Sequence, residues 1–153
     1  MVSVQLTGVN ELMKKFGNLS DRLQGQVVKK ALVKAAQPIK QEAKAQAPVA
    51  DKDIIRATKK DNIVYKPGNL KKSIGIFRGK NKKWLNVQVG AAYGDNKKFN
   101  GYYASFVHEG HKLKGGGKTK ANPFLKRAKD AKDEESVRIF QSEFDKLVKQ
   151  TMQ

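Results

Sequence analysis

Apolar side chains recur at steps of three and four along residues 12–43: Leu12, Phe16, Leu19, Leu23 and Val27, then Ala31, Leu32, Ala35, Ile39 and Ala43. That period belongs to one face of an α-helix. Gly17-Asn18 interrupts the stripe, and Ser20 has the hydroxyl an N-cap needs. The longer piece is therefore predicted to run from Ser20 to Gln46, roughly 40 Å at about 1.5 Å per residue. Pro38 has no N–H to offer the carbonyl of Lys34, which predicts a kink there. Ala47-Pro48 closes the segment. A helix of this length with one apolar face requires other elements to cover it.

Those elements follow from the remaining patterns. Val2, Val4 and Leu6 alternate with Ser3 and Gln5, the period of a short strand. Residues 49–69 mix charges without a period, end in the turn signal Pro67-Gly68-Asn69 and read as a mobile loop. Strands are predicted over Leu70–Arg78 and Trp84–Gly90, the second apolar on one face through Leu85, Val87 and Val89, with Gly79–Lys83 as a basic hairpin tip. Tyr102–Val107 is too short to assign as helix or strand. Residues 111–122, rich in Gly and Lys, read as a second flexible loop. Asn122 and Pro123, as cap and first helical residue, start a final helix, apolar at Leu125, Ala128, Val137, Phe140, Phe144, Leu147 and Val148. Leu12, Phe16, Leu23, Phe140 and Phe144 are expected in the core. The predicted fold class is α+β, one domain over residues 1–153. In it the long N-terminal helix, kinked near Pro38, and the C-terminal helix pack on a small antiparallel sheet.

Charge bears on function more directly. The formal net charge is +18, with 27 Lys and 5 Arg. Residues 1–50 carry +5, residues 51–120 carry +12, and the remainder +1. Lys is a solvated point charge, whereas the Arg fork reads base edges bidentately, so the balance favours sequence-independent attraction to an anionic surface. Lys80, Lys82, Lys83, Lys112, Lys114, Lys118 and Lys120 are the residues expected to contact DNA or an acidic partner. With no cysteine, thiol catalysis, disulfides and thiolate-held zinc are excluded. No apolar run approaches the roughly 18 residues of a membrane span, and the N-terminus lacks a signal-peptide layout, so a cytosol-made protein without a membrane partner is expected.

Catalytic patterns fail on spacing. His108-Glu109-Gly110-His111 places its histidines at i and i+3, not the i and i+4 of H-E-x-x-H, and Gly110 interrupts. Gly115-Gly116-Gly117-Lys118-Thr119 resembles the end of a phosphate-binding loop, but Lys112 stands where the first glycine belongs. Asp51, Asp53, Asp61 and Glu109 could meet around Mg²⁺ in a nuclease, yet their spacing gives no support. Trp84, Tyr102 and Tyr103 read as core or interface residues before base-stacking platforms. No cofactor, metal site or catalytic residue is expected.

Seven groups of residues stand in a distinctive order: Gly8–Leu12; Ala35-Ala36 with Ile39; Ala43-Lys44 with Ala47-Pro48-Val49; Gly68–Ile74; Val89-Gly90; Tyr103-Ala104 with Phe106-Val107 and Glu109-Gly110; and Asn122–Leu125 with Ala128. Together they resemble the neck or tail-completion ("tail-component") family of long-tailed bacteriophages. The family passes almost directly from Ala-Pro-Val into Thr-Gly-Asn-Leu. Here residues 50–66 intervene, and Pro67 replaces the Thr. The resemblance implies a non-enzymatic virion structural protein, assembled in the host cytoplasm at the head-tail junction as a homo-oligomeric ring of six. Its implied partners are the head connector and the tail tube or terminator proteins, with possible nonspecific contact to genomic DNA. The alternative reading is a nonspecific basic nucleic-acid-binding protein.

Overall fold

A computed structural model describes residues 3–5, 21–57, 62–78, 86–94 and 99–151. The long helix, α1, spans Asp21–Gln46 and continues through Pro38. Its inward face is Val27, Val28, Ala31, Leu32, Ala35, Ala36, Ile39 and Ala43, all buried. Four of these are alanines, and small side chains along a helix face let a second helix approach closely. That second helix is α4, Phe124–Thr151, the final predicted helix. The two are antiparallel. Arg127 Nε donates to Gln46 Oε1 at 3.0 Å, and one turn further along each helix Glu42 acts electrostatically on Lys132. Pro123 directly precedes α4, and Asn122 Oδ1 accepts from Arg127 Nη2 at 2.7 Å.

The row Ala128, Ser136, Phe140, Phe144 and Val148 on α4 repeats every fourth residue or a multiple of it and is buried in this seam, with Phe140 and Phe144 stacked at 5.7 Å. Val137, one of the apolar positions that mark this helix in the sequence, is 45% exposed. The inward position belongs to Ser136, roughly 100° away around the helix. Leu12 and Phe16 lie outside the described residues, as do the Ser20 cap, Trp84 and the expected 79–83 hairpin tip, and Leu23 lies outside those whose side chains are described.

Against α1 lies a three-stranded antiparallel sheet in the order β1-β5-β4, from β1 (Ser3–Gln5), β4 (Ile74–Arg78) and β5 (Val87–Ala91). Val4 pairs with Val89, and Ile74 and Ile76 pair with Ala91 and Val89. Val87, Val89 and Ala91 therefore share the covered face with Ile74 and Ile76, as the alternation in 85–89 predicts. The strand expected from Leu70 begins only at Ile74. Asn69–Ser73 form one helical turn, α2, with Asn69, Leu70 and Ser73 buried. Gly68 opens it at φ 77°, a left-handed conformation.

Two segments read as loops carry ladders. Within 49–69, β2 (Ile54–Ala57) and β3 (Asn62–Tyr65) form an antiparallel ribbon, separate from the main sheet. Within 111–122, residues 111–119 close into a narrow hairpin described below. Tyr102–Val107, left open by the sequence, ends in the short helix α3, Ala104–Glu109.

Candidate functional site

The short helix α2 positions the aromatic end of the molecule. Asn69 Nδ2 donates to the Asn100 carbonyl at 2.7 Å and approaches Tyr103 Oη at 3.4 Å. Asn100 in turn donates to the Gly94 carbonyl and accepts from the Tyr102 N–H, both at 3.0 Å. Ser73 and Ala91 crowd Gly101 so closely that a Cβ there would fall 2.4 Å from Ser73 Oγ and 2.6 Å from Ala91 Cβ. Held this way, Tyr102 and Tyr103 pack with Tyr65 of β3 in tilted and edge-on contacts, ring centroids 5.1–6.0 Å apart. The Arg56 guanidinium of β2 lies 4.7 Å from the Tyr102 ring, a cation–π contact. Burial, then the neighbouring Tyr65, raises the Tyr102 pKa above its ordinary value. This cluster fastens the ribbon to the body. The ribbon's other face turns Ile55, 64% exposed, and its cross-strand partner Val64 outward. Lys66 pairs with Asp53 at 2.7 Å on the same exposed ribbon.

Beyond α3 the chain turns at Gly110, φ 72° and ψ 163°. The hairpin that follows is tied by Thr119 N–H to the His111 carbonyl at 2.9 Å, by Leu113 N–H to the Gly117 carbonyl at 3.1 Å, and by a bridge pairing Lys112 with Lys118. His111 N–H donates to Thr119 Oγ1 at 2.8 Å, and that hydroxyl lies 3.0 Å from His111 Nδ1. Gly116 and Gly117 take positive φ at the tip, and a Cβ on any of Gly115, Gly116 or Gly117 would meet nothing within 4 Å. The tip therefore stands in open space. Lys112, Lys114, Lys118 and Lys120 are all exposed on this hairpin, with Leu113 exposed among them. Lys80, Lys82 and Lys83 lie outside the described residues.

Of the seven expected contact lysines, the structure thus brings four onto one element. Lys112 and Lys118 are cross-strand partners, and like charges directly opposite each other destabilise a strand pair. The glycines and Thr119 that suggested a nucleotide loop have structural work here: Thr119 locks the hairpin base to His111. The two histidines point to different surroundings. His111 lies 5.4 Å from Phe106 and His108 lies 5.9 Å from Phe124, ring to ring. Burial, with a further contribution from Arg127, lowers the His108 pKa despite the opposing Glu109. Among the described residues, no group of three or more His, Asp or Glu is placed to hold a metal ion. Likewise no helix among them is long and apolar enough to cross a membrane.

The molecule is thus an α+β body carrying two appendages, a ribbon with an apolar outer face and a lysine-bearing hairpin. Residues 10–110 match the family described as "Bacteriophage HK97-gp10, putative tail-component", and the chain belongs to that family. The matched span includes α1, the ribbon, the main sheet's β4 and β5, and α3, ending at the Gly110 turn. No curated protein and no solved structure matches the chain.

Proposed function

We propose that this tail-component protein acts at the head-tail junction of the virion. There it joins a homo-oligomeric ring, with six copies the expected number, between the head connector and the tail tube or terminator proteins. It works by docking and carries out no chemical reaction. The observation that carries this reading is the hairpin: four exposed lysines on a tied scaffold whose tip glycines have open space where a side chain would stand. A ring subunit needs such projecting, charge-bearing elements to reach its neighbours, and long-range attraction from clustered lysines speeds their encounter. Assembly would take place in the host cytoplasm, and lysines turned toward a central passage would meet genomic DNA through its phosphates.

The test is replacement of Lys112, Lys114, Lys118 and Lys120 by Glu in a phage that depends on this chain. Heads and tails are expected to form but fail to join or to retain DNA, with the protein missing from purified particles. Normal joining by the variant, or absence of the unaltered protein from finished virions, overturns the proposal. The competing reading, a nonspecific nucleic-acid binder, is favoured if pure protein binds duplex DNA with a steep inverse dependence on salt while particles assemble without it.

A further inference from the structure

Two surface patches have matching shapes of chemistry and opposite sign. The first is the hairpin, where Leu113, 49% exposed, sits among Lys112, Lys114, Lys118 and Lys120. No carboxylate occurs in the chain between Glu109 and Asp130, so this patch is uniformly basic. The second is the outward side of α4. There Val137 lies in an open depression of about 360 Å³ whose described lining is completed by Asp133, Glu134 and Arg138. Lys129 lies 3.6 Å from Asp133, and Lys132 lies 2.8 Å from Glu135. Asp130 and Glu134 have no ion-pair partner among the described residues. The hairpin patch is thus one exposed aliphatic side chain among lysines alone, and the α4 patch is one exposed aliphatic side chain beside two carboxylates and one arginine. Nucleic acid would satisfy the lysines but would leave Leu113 against phosphate and sugar. It would also leave the acidic surface around Val137 without a role.

We propose that the hairpin of one copy docks on α4 of the next, with Leu113 against Val137 and the lysines directed to Asp130, Asp133 and Glu134. This rests on the ring reading above and names the surfaces that would build the ring. Arg138 restricts the pose: it repels lysines at the C-terminal edge of the depression, so the basic rim lies toward the Asp130 end of the helix. Because the two patches differ, the contact is heterologous and repeats from subunit to subunit until the ring closes. Being largely electrostatic at its rim, it weakens with salt.

The absence of cysteine makes the contact directly measurable. Leu113→Cys and Val137→Cys each introduce a unique thiol at an exposed position. The two variants, one carrying a mass tag, are mixed at low salt in concentrated solution and also co-assembled into particles, then oxidised. The expected result is a mixed disulfide dimer in at least about tenfold excess over either variant alone, suppressed by high salt. Adding Lys112→Glu, Lys114→Glu and Lys118→Glu to the Leu113→Cys chain should abolish it. Adding Asp133→Lys and Glu134→Lys to the Val137→Cys chain should then restore it. Circular dichroism confirms that each variant is folded. Oligomers that form without the mixed disulfide overturn this interface and leave the ring reading standing. A chain that stays monomeric in solution and in particles overturns both. If the lysine-to-glutamate chain loses duplex-DNA binding but still cross-links at full yield, the hairpin's occupant is DNA and the docking proposal fails.

Discussion

Replacing Gly110 with Ala should loosen the hairpin from the body, and the size of the effect can be worked from two features. At φ 72° and ψ 163° the backbone occupies a region essentially reserved for glycine, and a side chain there costs of order 1–3 kcal/mol. The new Cβ would also sit 2.5 Å from the Thr119 carbonyl oxygen and 3.2 Å from the Ala121 nitrogen. Both are backbone atoms that cannot rotate aside, and overpacking of this kind costs about 1–3 kcal/mol more. If the structure resists, the sum is about 2–6 kcal/mol, a large share of the roughly 5–15 kcal/mol stability of a domain. For a chain of this size that lowers Tm by roughly 5–20 °C. The chain can instead yield locally by releasing Thr119 and the bond from Asn122 N–H to the Val107 carbonyl, 2.9 Å long. Tm then falls less, and amide exchange at Thr119 and Asn122 accelerates. Thermal unfolding and site-resolved hydrogen exchange distinguish these responses. Gly115→Ala is the control, since its Cβ enters open space and its φ is not positive. An unchanged Tm together with unchanged protection at both amides in Gly110→Ala would refute the reasoning.

Two further substitutions probe the body. Ser136→Ala should stabilise the fold by about 1 kcal/mol: it removes a hydroxyl buried in the helix seam with no hydrogen-bond partner among the described residues and improves helix propensity. A rise in Tm of about 2–4 °C is expected, and a fall would mean that the hydroxyl has a partner or packs productively. His108 gives a pH signature. Its folded pKa is lowered, chiefly by burial, so the unfolded chain binds the proton more tightly. The contribution to stability is full above the ordinary value of 6.5 and is lost as pH falls from there through the folded value. Denaturant titrations across this window should show a steeper acid-side loss in the native chain than in His108→Gln, and identical profiles would contradict the assignment.

The helices were legible because each buries one face along many turns. Val27 through Ala43 and Leu125 through Val148 give the period enough repeats to be read, and α1 ends where Ala47-Pro48 predicts. The period breaks down only at Val137, where a serine takes the inward place and an aliphatic residue the outward one. Short elements were harder for a physical reason. Asn69–Ser73 is five residues long, too few to separate a turn of helix from the start of the following strand. The ribbon was hidden because Ile55 and Val64 are apolar on its exposed side, which erases the alternation that marks a half-buried strand. The charge distribution singles out the four lysines that are exposed together at the hairpin, but not the pairing of Lys112 with Lys118, since a single bridge in a glycine-rich stretch has no pattern. The Asn69, Arg56 and tyrosine cluster is legible only in part: Tyr102 and Tyr103 read as core or interface residues, and Gly68-Asn69 and Tyr103-Ala104 lie in segments that resemble the family, but no pattern joins them to Tyr65 and Arg56.

Among the described residues the ribbon's ladder joins only its own two strands, and ring contacts, not a ladder shared with the main sheet, link it to the body. It lies within residues 50–66, the stretch that the resemblance reads as intervening between the long helix and Gly68-Asn69. Such a graft leaves the strand register of the host intact, so it can be lengthened, traded or deleted as one cassette. A lineage of particles could in this way retune what the subunit grips while inheriting the same folded frame.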